Sequence, residues 1–63
     1  MNKIKKYRTL QSLTVRDLAE KAQIAISYIS TLENDSKGNT NPSKDVMEKI
    51  AKALNSTVPT IFY

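Results

Sequence analysis

The sequence contains no cysteine and no histidine. Their absence excludes disulfide bonds, thiol nucleophiles and imidazole bases, and it removes the commonest zinc ligands. With 63 residues the chain should form one domain, residues 1–63, and a domain of this size has no room for a deep catalytic cleft. We therefore expect no enzyme activity, no metal and no cofactor.

Long apolar runs are missing as well. No stretch approaches the ~20 apolar residues of a membrane-spanning helix, and no signal-peptide core follows the basic beginning of the chain. We expect a cytoplasmic protein without membrane binding. Ten Lys and Arg residues against six Asp and Glu give a net charge of +4, which favours a polyanionic partner, although many small soluble proteins are equally basic.

The apolar residues that are present recur at the helical period of about 3.6 residues and nowhere alternate as in a strand. This pattern predicts an all-α fold of short helices. The first helix places Ile4, Tyr7 and Arg8 on one face and should end near residues 11–13.

The second and third predicted helices are joined by a very short connection, Gln23-Ile24. The second should begin at a capping box, with Thr14 as N-cap and Asp17 as the acid three residues later, and its core-facing stripe is Val15, Leu18, Ala19 and Ala22. The third spans about residues 25–34. Its inward side carries Ile29 and Leu32, and its outward side carries Ser27, Ser30, Thr31 and Asn34. Such a pair matches the helix-turn-helix arrangement.

A polar stretch at 34–41 holds the only glycine and predicts a loop. Ser43 then caps a fourth helix, whose core-facing stripe is Val46, Met47, Ile50, Ala51 and Leu54. Thr57 followed by Pro59 predicts a brief fifth helix that returns Ile61-Phe62 to the core.

Two segments, LTVRDLAEKAQIAISYISTLEND (13–35) and NPSKDVMEKIAKALNSTVPTIF (41–62), resemble the lambda-repressor/Cro-like helix-turn-helix family, also called the XRE family. The likeness covers nearly the whole chain and is greatest to short repressors of Gram-positive bacteria, their phages and mobile elements. Each motif is weak alone, but their order and spacing together are specific. The resemblance implies a transcriptional regulator, more often a repressor than an activator, that places its third helix in the major groove of double-stranded DNA.

The resemblance also implies base contacts from the start of the third helix and from one turn further on. Those positions hold Ile26, Ser27 and Thr31. The methyl groups of Ile26 and Thr31 can pack on thymine methyls, and the hydroxyls can donate or accept without demanding one base. Because this helix has no arginine to pair with guanine, we expect an A·T-rich half-site that is read partly by shape. A merely solvated helix face is the alternative interpretation.

Phosphate or flanking contacts are implied around the reading helix at Thr14, Val15, Arg16, Tyr28, Asn34, Lys37 and Lys44. Asn34 can instead pair with adenine. Val15 stands where the family often has glutamine and can offer a phosphate only its backbone N–H. Arg8 and Glu33 have the sequence separation of a buried ion pair in relatives, which implies a structural bridge.

Three further positions depart from the family pattern. Glycine is usual where Ser12 and Gln23 stand, so both turns are expected to adopt left-handed backbone conformations. Ala25 replaces the frequent serine or threonine cap, which leaves the third helix without a hydroxyl at its N-terminus.

The inverted-repeat operators of the family imply a homodimer, and Tyr63 can extend a small dimer patch. Because this patch is small, we expect dimerisation that is weak or induced by DNA. A protein-interaction module, antitoxin-like or anti-repressor, that keeps the fold without specific DNA binding is the second hypothesis. Salt distinguishes the two, because an interface made of phosphate contacts weakens steeply as salt rises.

Overall fold

The computed structural model describes residues 2–35, 38 and 40–63. Within these ranges all regular secondary structure is helical, which confirms the predicted fold class. The helices are α1 (Ile4–Leu10), α2 (Val15–Ala22), α3 (Ile26–Glu33), α4 (Lys44–Ala53) and α5 (Val58–Phe62). None of these is long and apolar enough to cross a membrane.

Three of the helices begin at the predicted side-chain caps. At α2, Thr14 Oγ1 accepts a hydrogen bond from the Asp17 N–H at 3.0 Å, and the Thr14 N–H donates to Asp17 Oδ2 at 2.9 Å. Hydrogen bonds from Thr14 to the Asp17 carboxylate lower the pKa of Asp17. The backbone N–H of Thr14 has the largest effect and its hydroxyl the next largest. Ser43 and Thr57 cap α4 and α5 by accepting from backbone N–H groups three residues later. A cap of this kind contributes about 1 kcal/mol to helix stability.

The core draws at least one side chain from every helix. Its fully buried large members are Ile4, Leu18, Ile29, Leu32, Ile50, Leu54 and Ile61. Each contributes roughly 1.5–3 kcal/mol by leaving water. Small residues accompany them where α2 packs on α3 and α4, because alanines let helices approach closely.

The predicted stripe of α4 needs one correction. Val46 is half-buried and packs against the core as predicted, but Met47 is half-buried without belonging to the core cluster, and Ala53, which the stripe omitted, is buried. Ala53 lies three residues after Ile50 and therefore shares its inward face.

Three turns carry, at residues other than glycine, backbone conformations that glycine adopts at least cost. Ser12 has φ 58° and Gln23 has φ 57°, as the family comparison implied, and Asn55 at φ 54° was not foreseen. A side chain with a Cβ loses roughly 1–2 kcal/mol in this left-handed region, while asparagine tolerates it better. Gln23 thus adopts the left-handed conformation that this sharp turn requires, although glutamine disfavours it.

Replacing Ser12 and Gln23 together by glycine is expected to stabilise the domain. Relief of the backbone strain, partly offset by the greater freedom of glycine in the unfolded chain, leaves a net gain of about 1–2 kcal/mol. For a domain of this length the melting temperature should rise by about 5–10 °C. Asn55→Gly is the control, with a smaller expected gain. A lower melting temperature by circular dichroism for both glycine variants would contradict the assignment of strain.

Candidate nucleic-acid interface

The connection between α2 and α3 sets the orientation of α3 relative to α2. Gln23 occupies the left-handed region, and its N–H donates to the carbonyls of Ala19 and Glu20. The Ile24 N–H then donates to the same Ala19 carbonyl at 3.0 Å. Because Ile24 also packs against the core, the turn is held by both hydrogen bonds and apolar contact. This rigid turn sets α3 across α2.

One side of α3 is buried and the other is open. Ile29 is completely buried and Leu32 is 1% exposed. Ser27 and Thr31 are exposed on the outward side, and Ile26, at the first position of the helix, is 44% exposed. The structure thus brings the three predicted base-reading residues onto one accessible surface, which we call the α3 face.

The two hydroxyls of the α3 face have different surroundings. Thr31 Oγ1 donates a hydrogen bond to the Ser27 carbonyl at 2.9 Å. Across the part of the chain that the structure describes, the Ser27 hydroxyl makes no hydrogen bond. The two side chains lie one turn apart, so they present neighbouring oxygens with different hydrogen-bonding capacity.

The N-terminus of α3 is electrostatically open. Ala25 provides no side-chain cap and the first turn has no acidic residue, as the sequence predicted. The positive end of the helix dipole therefore lies uncompensated beside the α3 face, where it favours an anion.

The N-terminus of α2 differs, because an acid already occupies it. Val15 is half-buried and Arg16 is exposed, and both lie in the first turn, where their N–H groups can face a phosphate. The Asp17 carboxylate accepts from Thr14 at this same end. Its negative charge weakens the attraction of the helix end for a phosphate, so Arg16 becomes the stronger of the phosphate candidates here.

The remaining phosphate candidates are placed unequally. Asn34 is the C-cap of α3 and is exposed, and Lys44 is exposed at the start of α4. Tyr28 is half-buried and packs against the core, so part of its role is structural. Lys37 lies outside the described residues.

Arg8 and Glu33 join α1 to the C-terminal end of α3. Arg8 Nε donates to Glu33 Oε2 at 2.7 Å and Nη2 donates to Oε1 at 3.1 Å, which gives a two-pronged ion pair. Arg8 Nη1 also donates to the Leu13 carbonyl at 2.6 Å. The two side chains are 12% and 5% exposed. The hydrogen bond to Glu33 raises the pKa of Arg8 above its ordinary value despite the opposing effect of burial.

Sequence reasoning missed Asn2, which holds the same end of α3. Its Nδ2 donates to the Leu32 carbonyl at 2.9 Å, and its Oδ1 accepts from the Ile4 N–H at 3.0 Å. The bond from the Ile4 N–H closes an Asx turn, which asparagine commonly forms with the N–H two residues later. The bond to the Leu32 carbonyl spans 30 residues of sequence and could not be foreseen.

These features define a helix-turn-helix domain. A helix-turn-helix family model matches residues 4–61, and the chain belongs to this XRE-type family, as its resemblance predicted. The family comprises transcriptional regulators and not enzymes, in agreement with the expectation from composition.

Two curated relatives illustrate the similarity. The HTH-type transcriptional regulator SinR of Bacillus subtilis is 39% identical over 59 residues, which are 94% of this chain and 51% of SinR. The HTH-type transcriptional regulator MJ0272 of Methanocaldococcus jannaschii is 39% identical over 61 residues, covering 97% of this chain and 88% of the relative. The chain thus spans about half the length of SinR and most of the length of MJ0272.

Solved structures of SinR have the same fold. A crystal structure of SinR, the master regulator for biofilm formation, in complex with DNA is similar with a TM-score of 0.82 and 40% identity, over 92% of this chain and 89% of that one. The complex of SinR with the SinI protein gives a TM-score of 0.83 at 40% identity, over 92% of this chain and 54% of that one.

Proposed function

We propose that this chain is the sequence-specific double-stranded DNA-binding domain of a transcriptional regulator, which acts as a repressor and reads the major groove with α3. The observation that carries the proposal is the α3 face, in which Ile26, Ser27 and Thr31 are exposed together on a helix held by a rigid turn. The similarity to the SinR chain in complex with DNA supports it.

Affinity in this proposal comes from phosphates on either side of the α3 face. Arg16 and Lys44 supply charge, while Asn34 and the half-buried Tyr28 supply hydrogen-bond donors. Thr14 flanks them at the start of α2, where its own N–H and hydroxyl already bond Asp17. The net charge of +4 attracts DNA over a longer range. Backbone N–H groups at the starts of α2 and α3, including that of Val15, add directional contacts. Lys37 belongs to the proposal on sequence grounds alone.

Specificity comes from apolar and hydroxyl contacts. Ile26 offers an exposed aliphatic surface to thymine methyl groups, and α3 carries no basic residue that could pair with guanine. We therefore expect an A·T-rich half-site with modest discrimination at each contact, roughly 1–3 kcal/mol per base pair. Two half-sites in an inverted repeat then supply the remaining specificity through a homodimer.

The dimer contact in this proposal involves the end of the chain. Ile61 is buried and Phe62 is half-buried against the core, but Tyr63 is 84% exposed. A single exposed aromatic side chain gives a small apolar area, so this contact should be weak by itself and is expected to be reinforced when two copies bind adjacent half-sites.

The test is selection of bound sequences from a randomised duplex pool at physiological salt, repeated with Ser27→Ala and Thr31→Ala. We expect an A·T-rich inverted repeat that loses definition at different positions in the two variants. Binding to the selected duplex should fall steeply with salt, because each neutralised phosphate releases a counterion. If the folded protein enriches no sequence, the proposal fails and the protein-interaction module becomes the better interpretation.

A further inference from the structure

The hydroxyl of Thr31 is already committed as a donor. A hydroxyl group has one donor hydrogen and two acceptor lone pairs. In this structure the Thr31 hydroxyl donates to the Ser27 carbonyl, with the two oxygens 2.9 Å apart, although the side chain is exposed. The oxygen that remains available to a ligand on the α3 face is therefore an acceptor only. The same bond fixes the side-chain rotamer, and so it fixes the position of the methyl group beside the oxygen.

Ser27 provides the contrast on the same face. Its hydroxyl has no hydrogen-bond partner among residues 2–35, 38 and 40–63, so it can rotate and can either donate or accept. Its carbonyl, in turn, receives the Thr31 hydroxyl. The α3 face thus carries one oxygen of either polarity and, one turn later, one oxygen of fixed polarity.

The bases of DNA distinguish these two kinds of oxygen. In the major groove adenine N6 and cytosine N4 are hydrogen-bond donors, whereas guanine O6 and N7 and thymine O4 are acceptors. An acceptor-only oxygen matches the two amino groups and is repelled by the carbonyls. The adjacent methyl of Thr31 finds an apolar partner only where thymine presents its C5 methyl. An amino group and a methyl occur together in one base pair, A·T.

We propose that Thr31 is a specificity-determining residue that reads a single A·T pair, with its oxygen accepting from adenine N6 and its methyl packing on the thymine methyl. This inference rests on the proposed function and deepens it. In the proposed function the Thr31 hydroxyl could donate or accept, whereas here it can only accept. Ser27 then tolerates several bases at its own position, and Thr31 does not.

The alternative for Thr31 is to donate to guanine O6 or thymine O4. That requires breaking the bond to the Ser27 carbonyl, so the contact with DNA would gain one hydrogen bond at the expense of another. A neutral hydrogen bond of this kind corresponds to about 2- to 10-fold in affinity. The intrahelical bond therefore favours the amino group over the carbonyl by about that factor.

The experiment uses the duplex selected from the randomised pool. It changes single functional groups in the base pair and in the side chain of residue 31. The base pair that faces Thr31 is the one whose preference is lost with Thr31→Ala. In that pair adenine is replaced by purine, which lacks the N6 amino group, or thymine by uracil, which lacks the methyl. The proteins are the unmodified chain, Thr31→Val, which keeps the branched shape without the oxygen, and Thr31→Ser, which keeps the oxygen without the methyl.

For the unmodified chain, purine should weaken binding by about 3- to 10-fold and uracil by about 3- to 5-fold. Thr31→Val should be insensitive to the purine change and still sensitive to uracil, and Thr31→Ser should show the reverse. Ser27→Ala is the matched control and should retain both sensitivities at the Thr31 pair. Circular dichroism confirms that each variant remains helical.

Two results would overturn the inference while leaving the proposed function intact. One is a selected site with G·C at the Thr31 pair. The other is a purine effect of equal size in the unmodified chain and in Thr31→Val, which would show that another residue receives the amino group. Failure of the folded chain to select any sequence would instead remove both the proposed function and this inference.

Discussion

Arg8→Ala is expected to unfold a large part of the protein population. The variant leaves the Glu33 carboxylate, whose side chain is only 5% exposed, without its two-pronged partner. It also removes the donor to the Leu13 carbonyl at the turn after α1. Removing one partner of a buried ion pair typically costs about 3–5 kcal/mol, and we expect about 3 kcal/mol here because Arg8 keeps some solvent access. A domain of this length has only about 3–5 kcal/mol of total stability.

The measurement is urea unfolding followed by circular dichroism, with a double variant as the decisive comparison. Arg8→Met combined with Glu33→Leu removes both charges and keeps apolar volume between α1 and α3. Such replacements are often neutral or stabilising, so the double variant should recover most of the stability that Arg8→Ala loses. If the double variant is as unstable as the single one, the loss comes from the Leu13 hydrogen bond and from packing, and not from an unpaired charge.

A second ion pair in the same chain provides the control. Lys49 Nζ lies 3.2 Å from Asp45 Oδ2 on the surface of α4, where the two side chains are 49% and 73% exposed. Lys49→Ala breaks a pair of the same chemical kind in a solvated setting, and exposed pairs at this spacing contribute roughly 0.3–0.5 kcal/mol. The Lys49→Ala variant shows how little an ion pair contributes in a solvated setting, and the double variant separates the unpaired charge from the lost Leu13 hydrogen bond.

The Arg8 pair also tests whether stability and sequence preference are separable. The pair joins α1 to the C-terminal end of α3, and its side chains are 12% and 5% exposed, whereas the residues of the α3 face are open to solvent. The folded double variant should therefore select the same duplex sequence as the unmodified chain. A changed preference would mean that the bridge also sets the angle of α3 in the groove.

The sequence was sufficient to predict the parts of the fold that depend on local signals. Thr14, Ser43 and Thr57 are N-caps because their hydroxyls lie three residues before an N–H that needs an acceptor, and this relation can be read from the chain. The left-handed turns at Ser12 and Gln23 were predictable because related sequences have glycine there.

What escaped prediction depends on contacts between distant segments or on rotamers. Asn2 reaches the Leu32 carbonyl across the domain, and Gln11 Nε2 reaches the Leu54 carbonyl at 2.7 Å. Tyr28 was expected only as a phosphate or flanking contact, yet it packs against the core. The polarity of Thr31 follows from one choice of rotamer, which the sequence leaves open. The shared exposure of Ile26, Ser27 and Thr31 was thus predictable, whereas the hydrogen bonds of their side chains required coordinates.

Ser27→Glu is expected to abolish DNA binding while slightly stabilising the fold. Ser27 is the second residue of α3, a helix whose first turn has neither an acid nor a side-chain cap. A carboxylate there interacts favourably with the helix dipole, by about 0.3–1 kcal/mol. On the α3 face the same carboxylate would approach DNA phosphates and base carbonyls, and like-charge contact at an interface costs several kcal/mol. Affinity for the selected duplex should therefore fall by about 100-fold or more.

Ser27→Glu is expected to lower affinity without lowering stability, and this combination distinguishes a direct effect on binding from unfolding. A variant that binds poorly because it unfolds would show a lower melting temperature, whereas Ser27→Glu should show an equal or higher one. Ser27→Gln has nearly the same size without the charge and should lose much less affinity. Thr9→Glu adds the same charge at an exposed position of α1, so it measures the change in net charge alone and should cost only a few-fold. Equal binding by Ser27→Glu and Thr9→Glu would mean that DNA does not contact the α3 face, and it would leave protein interaction as the function of this surface.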